Sequence, residues 1–292
     1  MGNSKISWTE KVWNPVTGCT KVSAGCKHCY AERMSKRLAG RVGYPAAPDN
    51  FKVTLHPERL DEPVRWKKPR RVFVCSMGDL FHEDVPTYFR NQCFITMMIA
   101  APQHTYIVLT KRPEEMAGYV SSWHPSYLPM KNIWFGTSVE NQAAADERIP
   151  WLLKTPAAVR FLSCEPLLGP VDLGDIDIGN GWTADALTGW HVKEGWGDYQ
   201  AGCAKIDWVI TGGESGPGAR PMNPDWVRSL RDQCQAAGVA FFHKQNGEYV
   251  WGNAGINQSS DWDGLHPIRV GKHAAGSMLD GREWKEYPGG AK

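Results

Sequence analysis

The chain has 292 residues, 42% of them hydrophobic, and 33 Lys and Arg against 31 Asp and Glu leave a net charge of +2. A chain of this length buries roughly three quarters of its unfolded surface, so a large core forms without disulfide staples. The near balance of charge excludes a global pull towards nucleic acid or anionic membrane and leaves only local patches.

Met1–Lys5 is followed by no apolar run, so no secretory signal is read, and Ile6 stands where a myristoylation motif needs Ser or Thr. The longest apolar stretch, Phe94 to Pro102, is too short to span a bilayer. The expectation is a cytoplasmic protein without a membrane partner. In that reducing compartment eight cysteines are not a disulfide framework.

Near the start, Cys19, Cys26 and Cys29 share one loop, with six and then two residues between them. A helix is expected directly afterwards, over Ala31–Leu38. Apolar, β-branched runs then end repeatedly in polar or glycine clusters. They are Arg71–Cys75 into Ser76-Met77-Gly78-Asp79, Tyr106–Leu109 into Lys111 and Arg112, and Ile133–Phe135 into Ser138 and Glu140. Val159–Leu162 then leads into Cys164 and Glu165, Trp208–Ile210 into Gly212, Gly213 and Glu214, and Val239–Phe242 into His243 and Lys244. Continuous apolar runs suit strands buried on both faces.

Helices are predicted between them. Pro86 to Met98 would bury Phe89, Phe94 and Met97. Asn223 and Pro224 read as N-cap and first residue of a helix stopped by Gly238, with Trp226, Leu230 and Cys234 on its apolar face. Alternating strands and helices imply an α/β fold with a parallel sheet. A full or partial β/α barrel over residues 1–246 leads, and a doubly wound open sheet is the alternative. Residues 172–205 lack a clean period and read as an irregular insertion. Residues 247–292 read as a C-terminal extension of hairpins or loop covering the barrel.

Three thiolates without a fourth fit a [4Fe–4S] cluster with one unligated iron better than a structural zinc site, which takes four ligands in two pairs. In β/α barrels the working groups sit at the C-terminal strand ends. Asp79, Glu140, Glu165 and Glu214 are therefore candidates for ligand contact, with Lys111, Arg112 and Lys244 as counter-charges. The alternative there is a salt-bridged rim without a ligand.

The segments Trp13–Cys19, Gly25–Glu32 and Thr211–Gly216, with Arg65–Arg71, Asp79–His82, Phe161–Pro166 and Lys244-Gln245, resemble a three-cysteine, radical-SAM-like family found in phages and prophages, largely of unknown function. The resemblance covers Ile6 to about Pro288. Its cysteine spacing departs from the usual radical SAM pattern of three and then two residues, and His28 stands where an aromatic commonly precedes the third cysteine.

The resemblance implies a radical-SAM-like barrel whose metal ligands are Cys19, Cys26 and Cys29. It further implies an enzyme that cleaves S-adenosylmethionine reductively to a 5′-deoxyadenosyl radical, in the host cytoplasm if phage-encoded. Ser76, Gly78 and Asp79 would receive the cofactor's amino group, and Lys111 or Arg112 its carboxylate. Ser138 and Glu140 would meet the ribose. Gly212 and Gly213, with Glu214, would approach the adenine or a phosphate. Tyr30, Glu165 and Lys244, with Cys164 and His243, are candidates for substrate contact or proton transfer. An electron donor of flavodoxin or ferredoxin type is the expected partner.

The five charges of Arg65–Arg71 around Trp66 read first as a solvated link into the next strand; the alternative is that they hold DNA, RNA or a nucleotide, the candidate substrate. Two other readings stand beside this one. One is a metal-stabilised module that binds nucleic acid or protein without catalysis. The other is a divalent-metal barrel hydrolase or nuclease using Asp79, Glu140 and Glu165.

Overall fold

A computed structural model describes residue 4 and residues 6–193, 199–252 and 265–290. Its main sheet has seven strands: β1 (Lys11–Trp13), β2 (Arg71–Val74), β3 (Thr105–Thr110), β4 (Ile133–Ser138), β5 (Arg160–Cys164), β6 (Trp208–Gly212) and β7 (Ala240–Gln245). They lie side by side in chain order, and β1 and β7 are not paired with each other. The pairs β1–β2, β2–β3, β3–β4 and β6–β7 are parallel. Strand order never reverses, so the sheet is not doubly wound, and unpaired end strands mean that it is not a full barrel. The order is that of a partial β/α barrel. By contacts the chain forms two compact units, Met1–Ser138 with Glu147–Phe161, and Val139–Asp146 with Leu162–Lys292.

In the first unit, α1 (Tyr30–Leu38), α2 (Thr87–Ile95) and α3 (Pro113–Ser121) follow β1, β2 and β3. The predicted helix over residues 86–98 is α2 continued by a π-helical turn, Thr96–Ala100. Phe89, Phe94 and Met97 are fully buried, as their spacing predicts. Phe94 of α2 lies 5.0 Å from the ring of Tyr119 on α3 and stacks on Phe135 of β4 at 6.2 Å. One aromatic thus joins two helices to the sheet, and burial of each such ring contributes about 2–3 kcal/mol.

In the second unit, the helix predicted after Asn223 is α5 (Pro224–Ala237), which follows α4 (Gln142–Lys154) in the chain. The Asn223 side chain accepts from the Asp225 N–H at 2.9 Å, and Gly238 adopts φ +66° at the C-terminal end. The apolar face is shifted by one position: Val227, with Leu230 and Cys234, is buried, and Trp226 is half-buried.

The insertion is a four-stranded antiparallel sheet of Ile176–Gly179, Trp182–Asp185, Trp190–Lys193 and Tyr199–Gln200. After β7 come two hairpins, Tyr249–Gly252 with His266–Arg269 and Met278–Leu279 with Arg282–Glu283. Backbone bonds from His243 to Trp284 and from Glu286 to Phe241 then cover the outer edge of β7, which removes an exposed pairing edge.

Candidate functional site

The cysteine loop is held by backbone contacts. Gly18 donates to the Met77 carbonyl at 2.8 Å and Cys19 to the Phe51 carbonyl at 3.2 Å. Gly18 has φ +83°, and a Cβ there would run into the carbonyl of Lys52. At Gly78 a Cβ would meet the Gly18 carbonyl oxygen at 2.9 Å. Only glycine fits either position, so the loop carrying Cys19 lies directly against the loop that follows β2. Ala24–Cys26 forms one 3₁₀ turn and Cys29 is the N-cap residue of α1. Ala31, Met34 and Leu38 of α1 pack with Tyr44, Phe51, Met77 and Cys29, fixing the far side of the loop.

This arrangement opens a cavity of about 200 Å³ in the first unit, and all three cysteines line it. So do Tyr30, Ser76, Gly78, Asp79, Lys111, Arg112 and Ser138, seven residues that the sequence singles out. None of the three thiols is in a disulfide, and each is half-buried, whereas Cys75, Cys93, Cys164 and Cys234 are fully buried. Burial raises Cys19 to about 11, with Asp79 adding to it against the opposing Arg112. Burial also raises Cys26, but backbone N–H groups and Lys111 outweigh it, and the net direction is down.

Asp79 does not stand as a free acceptor. Its carboxylate accepts from the Thr110 hydroxyl at 2.8 and 2.9 Å, from the N–H of Phe81 at 3.0 Å and of Lys111 at 3.2 Å, and from Arg112 Nη1 at 3.4 Å. Arg112 is committed too. It reaches Cys19 Sγ at 3.5 Å, Thr20 Oγ1 at 2.7 Å and Glu83 Oε2 at 3.0 Å. Both side chains, which the resemblance implies as direct partners of a cofactor's amino and carboxylate groups, are thus engaged within the protein while lining the cavity. Asp79 ties the loop after β2 to the end of β3, and Arg112 orients Cys19. Lys111 and the Ser76 hydroxyl, which donates to Asn14 Oδ1 at 3.3 Å, remain on the wall.

One partner was missed by the sequence reading. His82 is fully buried and its Nδ1 accepts from the Asp84 N–H at 3.1 Å. Its other nitrogen, Nε2, therefore carries the hydrogen and donates to Thr20 Oγ1 at 2.9 Å. Arg112 and His82 thus clamp Thr20, the residue after the first cysteine. The signal was Thr20 beside Cys19 and His82 within Asp79–His82, but no local spacing rule joins residues 62 apart.

The remaining candidates belong to the second unit and are not on the cavity wall. Glu165 pairs with Lys244 at 3.0 Å. Glu214 is held by Arg220 through Nε at 2.9 Å and Nη2 at 2.8 Å. A Cβ on Gly212 would strike the Glu165 carboxylate, and one on Gly213 the Asn246 carbonyl. The room at each glycine is taken by a protein group, at the positions where the resemblance implies an adenine edge or a phosphate. His243 has no exposure, and its ring nitrogens meet Thr211 Oγ1 and Asn246 Oδ1, both at 2.9 Å. Burial lowers it to about 4, so it is neutral. Cys164 is buried and held far above the ordinary thiol range, chiefly by burial. Glu140 is buried, and its carbonyl accepts from Leu168 N–H.

The run Arg65–Arg71 is a link into β2 with part of its charge used internally. Arg65 pairs with Asp61 at 2.6 Å and Arg70 with Glu10 at 3.1 Å, and Trp66 packs on His104.

Among the described residues no three His, Cys, Asp or Glu side chains close on one point able to hold a metal ion.

Neither a curated protein nor a solved structure matches the chain. A family model described as "Protein of unknown function (DUF5131)" matches residues 3–288, and the chain belongs to this family.

Proposed function

We propose that this protein is an iron–sulfur enzyme of the radical S-adenosylmethionine type, with a [4Fe–4S] cluster on Cys19, Cys26 and Cys29 and the cofactor in the adjoining cavity. The observation that carries the reading is the convergence of those three thiols, none in a disulfide, on one cavity that is also lined by the cationic end of β3, Lys111 and Arg112. When bound, such a cluster supplies one electron for cleavage of the cofactor's carbon–sulfur bond, and that chemistry belongs to the group rather than to the chain.

The chain's own residues place and shield. Arg112 fixes Cys19 and brings positive charge to the thiolate, which disperses the negative charge of a three-thiolate site. Asp79 fixes Arg112 and the end of β3. Lys111 provides a cation on the wall for an anionic ligand group, and the Ser76 and Ser138 hydroxyls provide neutral polar contacts. Phe51, Phe73 and Leu109 give the same wall its apolar part.

The test is anaerobic purification with iron and sulfide counting, then dithionite reduction with S-adenosylmethionine and chromatographic detection of 5′-deoxyadenosine. The expected result is about four irons and four sulfides per chain and 5′-deoxyadenosine formed only by the reduced, loaded protein. Colourless protein with one zinc, or no 5′-deoxyadenosine under any reductant, overturns the reading.

A further inference from the structure

The positive charge that the chain as a whole lacks is gathered on the cysteine loop and α1. Between Cys19 and Val42 stand six Lys or Arg residues and one acid, Glu32, although the full chain nets only +2. Glu32 pairs with Lys21 at 2.9 Å. Lys27, Lys36, Arg37 and Arg41 are exposed and have no ion-pair partner among the described residues.

The helix gives this charge a direction. Tyr30, Arg33 and Arg37 recur at i, i+3 and i+7 and form one ridge of α1, while Ala31 and Ser35 on the other side are buried. Arg41 follows in the turn just past the helix end, where its N–H donates to the Leu38 carbonyl at 2.9 Å. Tyr30 is 58% exposed, yet it also lines the cysteine cavity. The Arg33 guanidinium lies 5.9 Å from the centre of its ring.

We propose that this ridge is a track for single-stranded nucleic acid, with Tyr30 as the stacking platform at the mouth of the cavity. Arginine forks in a row match successive phosphates. An exposed aromatic among them offers its face to a base of any sequence. A duplex keeps its bases stacked inside, so only a single strand or an extruded nucleotide can use Tyr30. The track lies on α1, away from the partly neutralised Arg65–Arg71. The inference rests on the proposed function only in naming the substrate class of the same cavity; binding itself needs neither cluster nor cofactor.

The experiment is fluorescence anisotropy of a labelled oligonucleotide of about 20 nucleotides, single-stranded and as duplex, with the full chain, as purified and reconstituted, from about 50 to 200 mM salt. The single strand should bind more tightly than the duplex, with a log–log salt slope of about −3 if four phosphates are engaged. R33A/R37A/R41A should lose at least about tenfold and flatten the slope by about 2, and R33K/R37K/R41K should keep the slope. Tyr30→Ala should weaken binding about fivefold or more without changing the slope. K67A/K68A should bind like the parent chain, and matching far-UV circular dichroism verifies that each variant is folded.

The proposal is overturned by salt-independent or absent binding, by equal affinity for duplex, or by binding that survives the triple Arg→Ala change. Preference for phosphatidylserine vesicles or an acidic protein over the single strand overturns it as well. Loss of oligonucleotide binding with 5′-deoxyadenosine still formed defeats the track alone. The reverse result defeats the radical chemistry alone.

Discussion

Both units place acids and bases at the C-terminal ends of parallel strands, yet they use them differently. In the first, Asp79, Lys111, Arg112 and Ser138 surround a void shared with three cysteines. In the second, Glu165 takes Lys244, Glu214 takes Arg220, and the room left by Gly212 and Gly213 is filled by a carboxylate and a carbonyl. A strand-end charge is thus a poor sign of ligand contact by itself. Glycine cuts the same way, because the missing Cβ admits whichever group lies nearest, and in both units that group is protein.

The comparison breaks first at the cysteines. Replacing Cys19, Cys26 and Cys29 by Ala should abolish iron binding and 5′-deoxyadenosine formation, while Cys164→Ala should retain iron. Iron counting on the two variants distinguishes a metal-holding trio from buried packing thiols.

The next largest effect is expected at Asp79, whose side chain is 7% exposed beside an Arg112 that is 9% exposed. Asp79→Asn removes the charge that Thr110, two backbone N–H groups and Arg112 share, while Arg112 keeps Glu83, which should cost about 3 kcal/mol. Denaturant unfolding measures it. Iron occupancy should fall in the same variant, because the loop after β2 is no longer tied to the end of β3.

In the second unit the charges are internal, so pH should act on stability. Burial lowers His243 to about 4 from the ordinary 6.5. Between those values the unfolded chain takes up a proton that the folded chain refuses, so stability is lost as pH falls from about 6.5 towards 4 and is regained as pH rises. The effect approaches about 3 kcal/mol at the acid end. Urea midpoints across this range should show it, and His243→Gln should flatten the profile. Smallest is Glu214→Gln, expected to cost about 1–2 kcal/mol because Arg220 is partly hydrated. It should leave iron content unchanged; a fall in iron would mean that the second unit serves the metal site.

The strands that define the sheet were legible because each is a continuous apolar run. The exception, β1, was missed: it is three residues long and begins with Lys11. The insertion was legible as irregular but not as hairpins, although Asn180-Gly181 carried the signal, whereas Asp280-Gly281 lies in the C-terminal extension, where hairpins are expected. Both residues of each pair adopt positive φ, 58° and 74° in the first and 52° and 75° in the second, as a two-residue hairpin loop requires. Cysteine clustering was readable because the three residues are near in sequence. The internal pairing of Asp79 with Arg112 and Thr110 was not, since it depends on which strand ends become neighbours. The four-residue spacing of Trp226 to Leu230 and Cys234 predicts Trp226 on the buried face of α5. Val227 serves instead, as three-residue spacing to Leu230 allows equally well.

The loop that carries Cys19 is stitched to its surroundings through main-chain groups, Gly18 to Met77 and Cys19 to Phe51. The proposed cluster would then sit on a loop held by the main chain as well as by its metal, unlike a zinc finger, which takes its shape from its ion.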